Sequence, residues 1–280
     1  MKQRIITSII ACAILIPVLI FADTPALPIG LSVCAMIGVY EMLSCIGIKK
    51  TIAISVPFYL CAGAFPLLAR YVKSLSLLFS IALTVLALGL LYLFTLLIFS
   101  HGKFSVQEIG SSFFSILYMI IGFSAIVLIY DREIGGEFIY LIVFIGAWIT
   151  DIFAYFCGML FGRGGKHKLI PEVSPKKTVE GSIGGIVFCM LSMVAFGAIV
   201  EAVSDYEANL LLFALAGFAV SIVAQIGDLA MSVIKRTYGI KDYGKLFPGH
   251  GGILDRFDSI LAVAIALMIF TRFFNLLTLH

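Results

Sequence analysis

The chain reads as an all-α, polytopic integral membrane protein with about nine transmembrane helices. Three observations predict this. Of its 280 residues, 61% are hydrophobic and 12% are charged, at a mean hydropathy of +1.13, whereas soluble domains carry roughly 25% charged residues. The apolar residues fall in runs close to the ~20 needed to cross a bilayer. Once nine spans are drawn, the lysines and arginines collect on one side of the membrane, as cytoplasmic loops require.

The nine runs are 4–22, 26–47, 51–69, 75–99, 111–130, 136–160, 182–200, 208–233 and 256–278. The first follows Lys2 and Arg4. It is read as a retained helix rather than a cleaved signal, because no small-x-small site ends it and further spans follow at once. The third contains Pro57 and Pro66, which predicts a kink or a partly re-entrant course. Short breaks with Asp, Gly, Pro or Lys separate most of the others. All six cysteines lie in apolar stretches without a CxxC pair. They read as small buried hydrophobes, not as a zinc site or a disulfide framework.

With the N-terminus in the cytoplasm, 15 of the 19 basic residues fall on the cytoplasmic side. Only Arg70, Lys73, Arg132 and Arg272 fall opposite. The two long basic loops, 161–181 and 234–255, then face the cytoplasm together. Residues 1–130 carry no readable motif and are expected to be scaffold, or a lipid or dimer surface. Residues 131–280 carry the polar motifs and form the expected catalytic region, with its cleft on the cytoplasmic side. No feature predicts nucleic acid as a partner.

The densest polar stretch is Ser232 to Asp258. It interleaves Lys235, Arg236, Lys241 and Arg256 with Asp242, Asp255 and Asp258, and adds His250, Gly251 and Gly252. Glycines let backbone N–H groups approach a ligand. Basic side chains neutralise phosphates, and carboxylates hold divalent cations. Two further acids lie inside spans, Asp151 and Asp228, where ionisable groups are costly and mark function by default.

The pattern Ser232, Lys235-Arg236, Lys241-Asp242, Pro248-x-His250-Gly251-Gly252, Asp255-Arg256-x-Asp258 resembles the signature of phosphatidate cytidylyltransferases, the CDP-diacylglycerol synthases. In the other basic loop, Ser174-Pro175-Lys176-Lys177-Thr178-Val179-Glu180-Gly181 resembles a second segment of that family, in which many members carry Trp where this chain has Val179. The resemblance implies a nucleotidyltransferase of phospholipid biosynthesis in the inner (plasma) membrane. It would join CTP to phosphatidate, release pyrophosphate and require Mg²⁺. A homodimer is left open.

Asp228 and Asp255 are expected to hold the metal, with Asp258 and Asp151 in the next rank. A salt bridge from Asp228 to Lys235 or to Arg256 is the alternative. Lys235, Arg236, Lys241 and Arg256 are expected to serve the phosphates. Ser174, Lys176, Lys177, Thr178, Gly251 and Gly252 are expected around the nucleotide, with headgroup anchoring as the other role for the two lysines. His250 suits phosphate contact or loop positioning better than general acid work. His167 reads as a solvated loop residue. Two other functions stay open: a different CTP-dependent lipid-phosphate cytidylyltransferase, and an ion-coupled transporter. Against the transporter, the polar residues crowd at one face rather than at the midplane.

Overall fold

In the computed structural model, residues 2–162 and 167–279 are described. The run Arg163-Gly164-Gly165-Lys166 of the first basic loop lies outside the described residues. Among the described residues there are nine helices: α1 (Lys2–Ile20), α2 (Ala26–Ile46), α3 (Ile52–Tyr71), α4 (Leu75–Phe99), α5 (Val106–Arg132), α6 (Gly136–Phe161), α7 (Val179–Val203), α8 (Leu210–Thr237) and α9 (Leu254–Thr271). Seven of them, α2 to α8, are long and apolar enough to cross a membrane. The protein is all-α and polytopic, as its composition predicts.

Capping chemistry sets several boundaries. Ser105 and Glu108 form a reciprocal box at the start of α5: the Ser105 N–H donates to Glu108 Oε2 at 2.8 Å, and the Glu108 N–H donates to Ser105 Oγ at 3.1 Å. The helix therefore begins five residues earlier than its apolar run suggests. Asn209 caps α8 by accepting from the Leu212 N–H at 3.1 Å. Gly47, at φ 94°, ends α2 in the left-handed conformation that a side chain would resist. α3 runs unbroken through Pro57 and Pro66, so the re-entrant course is not adopted.

The chain divides into two compact units, residues 1–124 and 125–280. In the first, α1 packs on α2 and α2 on α3. One guanidinium fastens the α1–α2 turn. Arg70, only 8% exposed near the end of α3, donates through Nη2 to the carbonyls of Ala22, Asp23 and Thr24 at 2.7, 2.6 and 3.1 Å. Arg70→Ala should destabilise the protein by about 2 kcal/mol, the scale of hydrogen bonds to a charged group. In detergent this reads as a fall of several degrees in the thermal midpoint. An unchanged midpoint would mean that water satisfies the three carbonyls equally well.

In the second unit, α6, α7, α8 and α9 pack on one another. The α6–α7 approach is close. A Cβ on Gly181 would stand 2.4 Å from the Ala154 carbonyl oxygen, and one on Gly184 would stand 2.4 Å from Cys157 Sγ. Small residues at such crossings let helix backbones meet inside a membrane.

Two short antiparallel pairs complete this unit, and neither is visible in the apolar pattern. β1 (Lys168–Ile170) pairs with β2 (Ser174–Thr178), with Lys168 opposite Thr178. β3 (Tyr206–Ala208) pairs with β4 (Leu277–Leu279), with Glu207 opposite Thr278. The expected last span to residue 278 is thus corrected. The helix stops at Thr271, and the tail turns back so that the Asn209 N–H donates to the Leu276 carbonyl at 3.1 Å. α8 is corrected the other way. It continues to Thr237, four residues past its expected end, and carries Lys235 and Arg236 on the helix.

Candidate functional site

The site lies where the C-terminal halves of α6 and α8 meet the N-terminal ends of α7 and α9. Each element delivers one kind of group. α6 contributes Asp151, which is exposed, α8 contributes Asp228, and α9 contributes Asp255 and Asp258, each 8% exposed. The β1–β2 hairpin leads into α7, whose N-cap is Thr178: its Oγ1 accepts from the Gly181 N–H at 3.1 Å. That cap fixes where β2 ends and so where Lys177 points.

Lys177 reaches across to Asp228 and forms an ion pair with its Oδ2. The two basic segments of the sequence therefore meet in space. Asp151, Asp228 and Asp258 stand near enough for their charges to act on one another. Ser259 Oγ bridges α9 to α6 by donating to Asp151 Oδ2 at 3.4 Å. Arg256 and Lys177 act on Asp151, and Lys235 acts on Asp258. Like carboxylates crowd one another unless a cation stands among them. Here Lys235 is matched by Asp255, through a 3.0 Å bond from Nζ to Oδ1. The four acids Asp151, Asp228, Asp255 and Asp258 thus outnumber the cations beside them, Lys177, Lys235 and Arg256, by one.

Asp228 therefore pairs with Lys177, a partner that its own helix and the following loop do not supply. Asp255 is held differently from the other three acids. Besides Lys235 it accepts two backbone N–H groups on Oδ2, from Tyr243 at 2.8 Å and Gly252 at 2.9 Å. Among the described residues, no three carboxylate, imidazole or thiolate groups are already gathered as a metal shell.

The other expected site residues have surroundings of their own. Arg236 is exposed and turns its Nη1 to the Ile240 carbonyl at 3.1 Å. Lys176 and Lys241 are exposed. Ser174 lies at the far end of β2, opposite Ile170. His250 is half-buried in a turn where its N–H donates to the Phe247 carbonyl at 2.8 Å. Gly251, at φ 86°, and Gly252 continue that turn toward Asp255. His167 is exposed, but its Nδ1 lies 2.6 Å from Glu180 Oε1, so it is a paired loop residue.

Three residues escaped sequence reading. Ser259 follows Asp258 directly, but nothing in the sequence marks it as a link to α6. Tyr243 is buried, and its hydroxyl donates to the Met231 carbonyl at 2.8 Å. A lone Tyr inside a polar loop is the only signal it gave. Gln225 lies three residues before Asp228 on one helix face, and its Nε2 donates to the Ser182 carbonyl at 3.4 Å.

Comparison with known proteins places the whole chain. The model of the cytidylyltransferase family matches residues 2–274. Among curated proteins, the chain is 36% identical over 269 residues to the phosphatidate cytidylyltransferase of Staphylococcus haemolyticus, covering 94% of this chain and 96% of the relative. It is 35% identical over the same length and coverage to the proteins of that name from Staphylococcus epidermidis and Staphylococcus aureus.

Proposed function

The chain belongs to the cytidylyltransferase family, and on that premise we propose that it is a CTP:phosphatidate cytidylyltransferase whose site is the Asp151–Lys177–Asp228–Asp258 cluster. It is a nucleotidyltransferase of phospholipid synthesis, and its products are CDP-diacylglycerol and pyrophosphate. The observation that carries the site assignment is the Lys177–Asp228 pair, which brings the chain's two basic segments to one place.

Phosphatidate presents its phosphate at the membrane surface, already ionised, so no strong general base is required. A phosphate oxygen attacks the α-phosphorus of CTP. The new P–O bond forms as the bond to the bridging oxygen breaks, and that electron pair leaves with pyrophosphate. Lys177 and Arg256 neutralise phosphate oxygens, and Lys241 and Arg236 draw the nucleotide from solution. His250 and the glycines beside it position the loop against the phosphates. Lysine and arginine charges aimed at developing negative charge act most strongly where water is excluded.

The same cluster fits a hard divalent cation. Its donors are all carboxylate oxygens, and the four acids exceed their three cationic neighbours, Lys177, Lys235 and Arg256, by one negative charge. Asp228 and Asp258, with Asp151 beside them, would hold Mg²⁺. Bound there, Mg²⁺ would neutralise charge on the nucleotide phosphates.

The test is incubation of purified protein with CTP, Mg²⁺ and phosphatidate. CDP-diacylglycerol and pyrophosphate should appear in equal amounts. Their absence, with solute uptake driven by an ion gradient in proteoliposomes, would replace this reading by the transporter.

The site is assigned to the cytoplasmic face of the plasma membrane, because cytoplasmic loops collect Lys and Arg. Single cysteines at Glu172 and Asp205, in a background without other cysteines, should react with an impermeant thiol reagent from opposite sides. Reaction of both from one side would overturn this orientation.

A further inference from the structure

Asp255 and Asp258 lie three residues apart at the start of α9, so spacing alone gives them one role. Their surroundings differ. Asp258 lies beside Asp228 and Asp151. The Asp255 side chain is 4% exposed and is enclosed by donors: Lys235 Nζ on Oδ1, and the N–H groups of Tyr243 and Gly252 on Oδ2. Those two N–H groups mark the two ends of the 243–252 loop, so one oxygen fastens both. Within the loop, the Phe247 N–H donates to the Gly251 carbonyl at 2.9 Å, and the His250 N–H donates to the Phe247 carbonyl at 2.8 Å. The Tyr243 ring adds a second tie to α8, through its hydroxyl on the Met231 carbonyl and with the Lys235 ammonium 5.3 Å from the ring centroid.

Gly251 belongs to the same device. A Cβ there would stand 2.5 Å from Asp255 Oδ2, and its φ of +86° resists a side chain in any case. The carboxylate and the turn are fitted to each other.

We infer that Asp255 is a positioning residue: it clamps the Tyr243–Gly252 loop, with His250 on it, to the ends of α8 and α9, and leaves cation binding to Asp228 and Asp258. Oδ2 is filled by its two N–H bonds, and Oδ1 is already held by the Lys235 ammonium, whose charge offsets that of the carboxylate, so a metal would have to displace a donor or compete with that ammonium. This deepens the cytidylyltransferase reading and rests on it for its consequence in turnover. The clamp itself is a property of the chain without nucleotide or metal.

The test uses the full chain in detergent micelles, with two measurements. Amide exchange is followed across 243–252 without nucleotide or metal, and Mn²⁺ affinity is measured by electron paramagnetic resonance with the metal alone. Asp255→Asn should speed exchange at Tyr243 and Gly252 at least tenfold and leave Mn²⁺ affinity within threefold of the parent protein. Asp228→Asn should do the reverse. Asp255→Asn also leaves Lys235 buried without its counter-charge, so it is paired with Gly251→Ala, which keeps the carboxylate and pushes a methyl group onto it. That variant should show the same faster exchange with Mn²⁺ affinity retained. Unchanged exchange in Gly251→Ala, or Mn²⁺ affinity lost in Asp255→Asn as fully as in Asp228→Asn, would overturn the assignment. Mn²⁺ affinity retained in Asp228→Asn would instead sink the metal site, and the exchange data would still judge the clamp.

Discussion

Asp228→Asn is expected to cut turnover about a thousandfold or more, with little change in thermal stability. The substitution keeps shape and removes one negative charge from the centre of the site. Asp228 answers Lys177 directly and shares its field with Asp151 and Asp258. If it holds Mg²⁺, its loss removes several kcal/mol of charge stabilisation. At about 1.4 kcal/mol per factor of ten, that corresponds to three or more orders of magnitude. Folding should suffer little, since the Asp228 side chain is 24% exposed and the amide oxygen of asparagine can still accept from Lys177. Product formation under saturating CTP and phosphatidate is the first measurement, and the melting midpoint in detergent is the control. Near-parent turnover in a folded variant would reduce the Lys177–Asp228 pair to a structural salt bridge.

Much of this architecture was legible from apolar run length, because a bilayer forces every spanning backbone to satisfy itself within a helix. What misled was the ends. Residue Lys235 reads as the exit from the membrane, yet α8 continues to Thr237, since Lys and Arg are good helix formers and a charge does not end a helix. The Ser105–Glu108 box was a local signal that hydropathy counting passes over. The β3–β4 pair was beyond reach. Three-residue strands leave no periodicity, and their pairing depends on a tail brought back by tertiary contacts.

The site shows the same division. Residue types and spacing identified Asp151, Asp228, Asp255, Asp258 and Lys177 as candidates. They did not identify partners, because a partner depends on which loop returns where. Sequence offers Asp228 two basic partners, Lys235 seven residues on and Arg256 at the start of the next helix, but the ion pair comes from Lys177 on a different segment. Lys176 and Lys177 were inseparable as a sequence pair. A strand turns successive side chains to opposite faces, so only one of them enters the site.

That last difference yields the second large effect. Lys177→Met is expected to lower turnover by two to three orders of magnitude, and Lys176→Met by only a few fold. Lys177 is half-buried against Asp228, whereas Lys176 stands exposed on the other face of β2. Removing one fixed donor from a site that stabilises developing charge costs roughly 10²–10³ in rate. A solvated lysine contributes mainly long-range attraction for CTP, which salt screens over about 10 Å at 0.1 M. The small loss in Lys176→Met should therefore appear in KM and fade as ionic strength rises, while the loss in Lys177→Met stays in kcat and is insensitive to salt. Methionine keeps the length and apolar stem of lysine, so the comparison isolates charge. The double variant Lys177→Met with Asp228→Asn adds a check. Residues that act as one unit are not additive, so it should lose scarcely more than Asp228→Asn alone. Equal losses for Lys176→Met and Lys177→Met would mean that the lysines act together as a diffuse basic surface, and the site would have to be drawn without the hairpin.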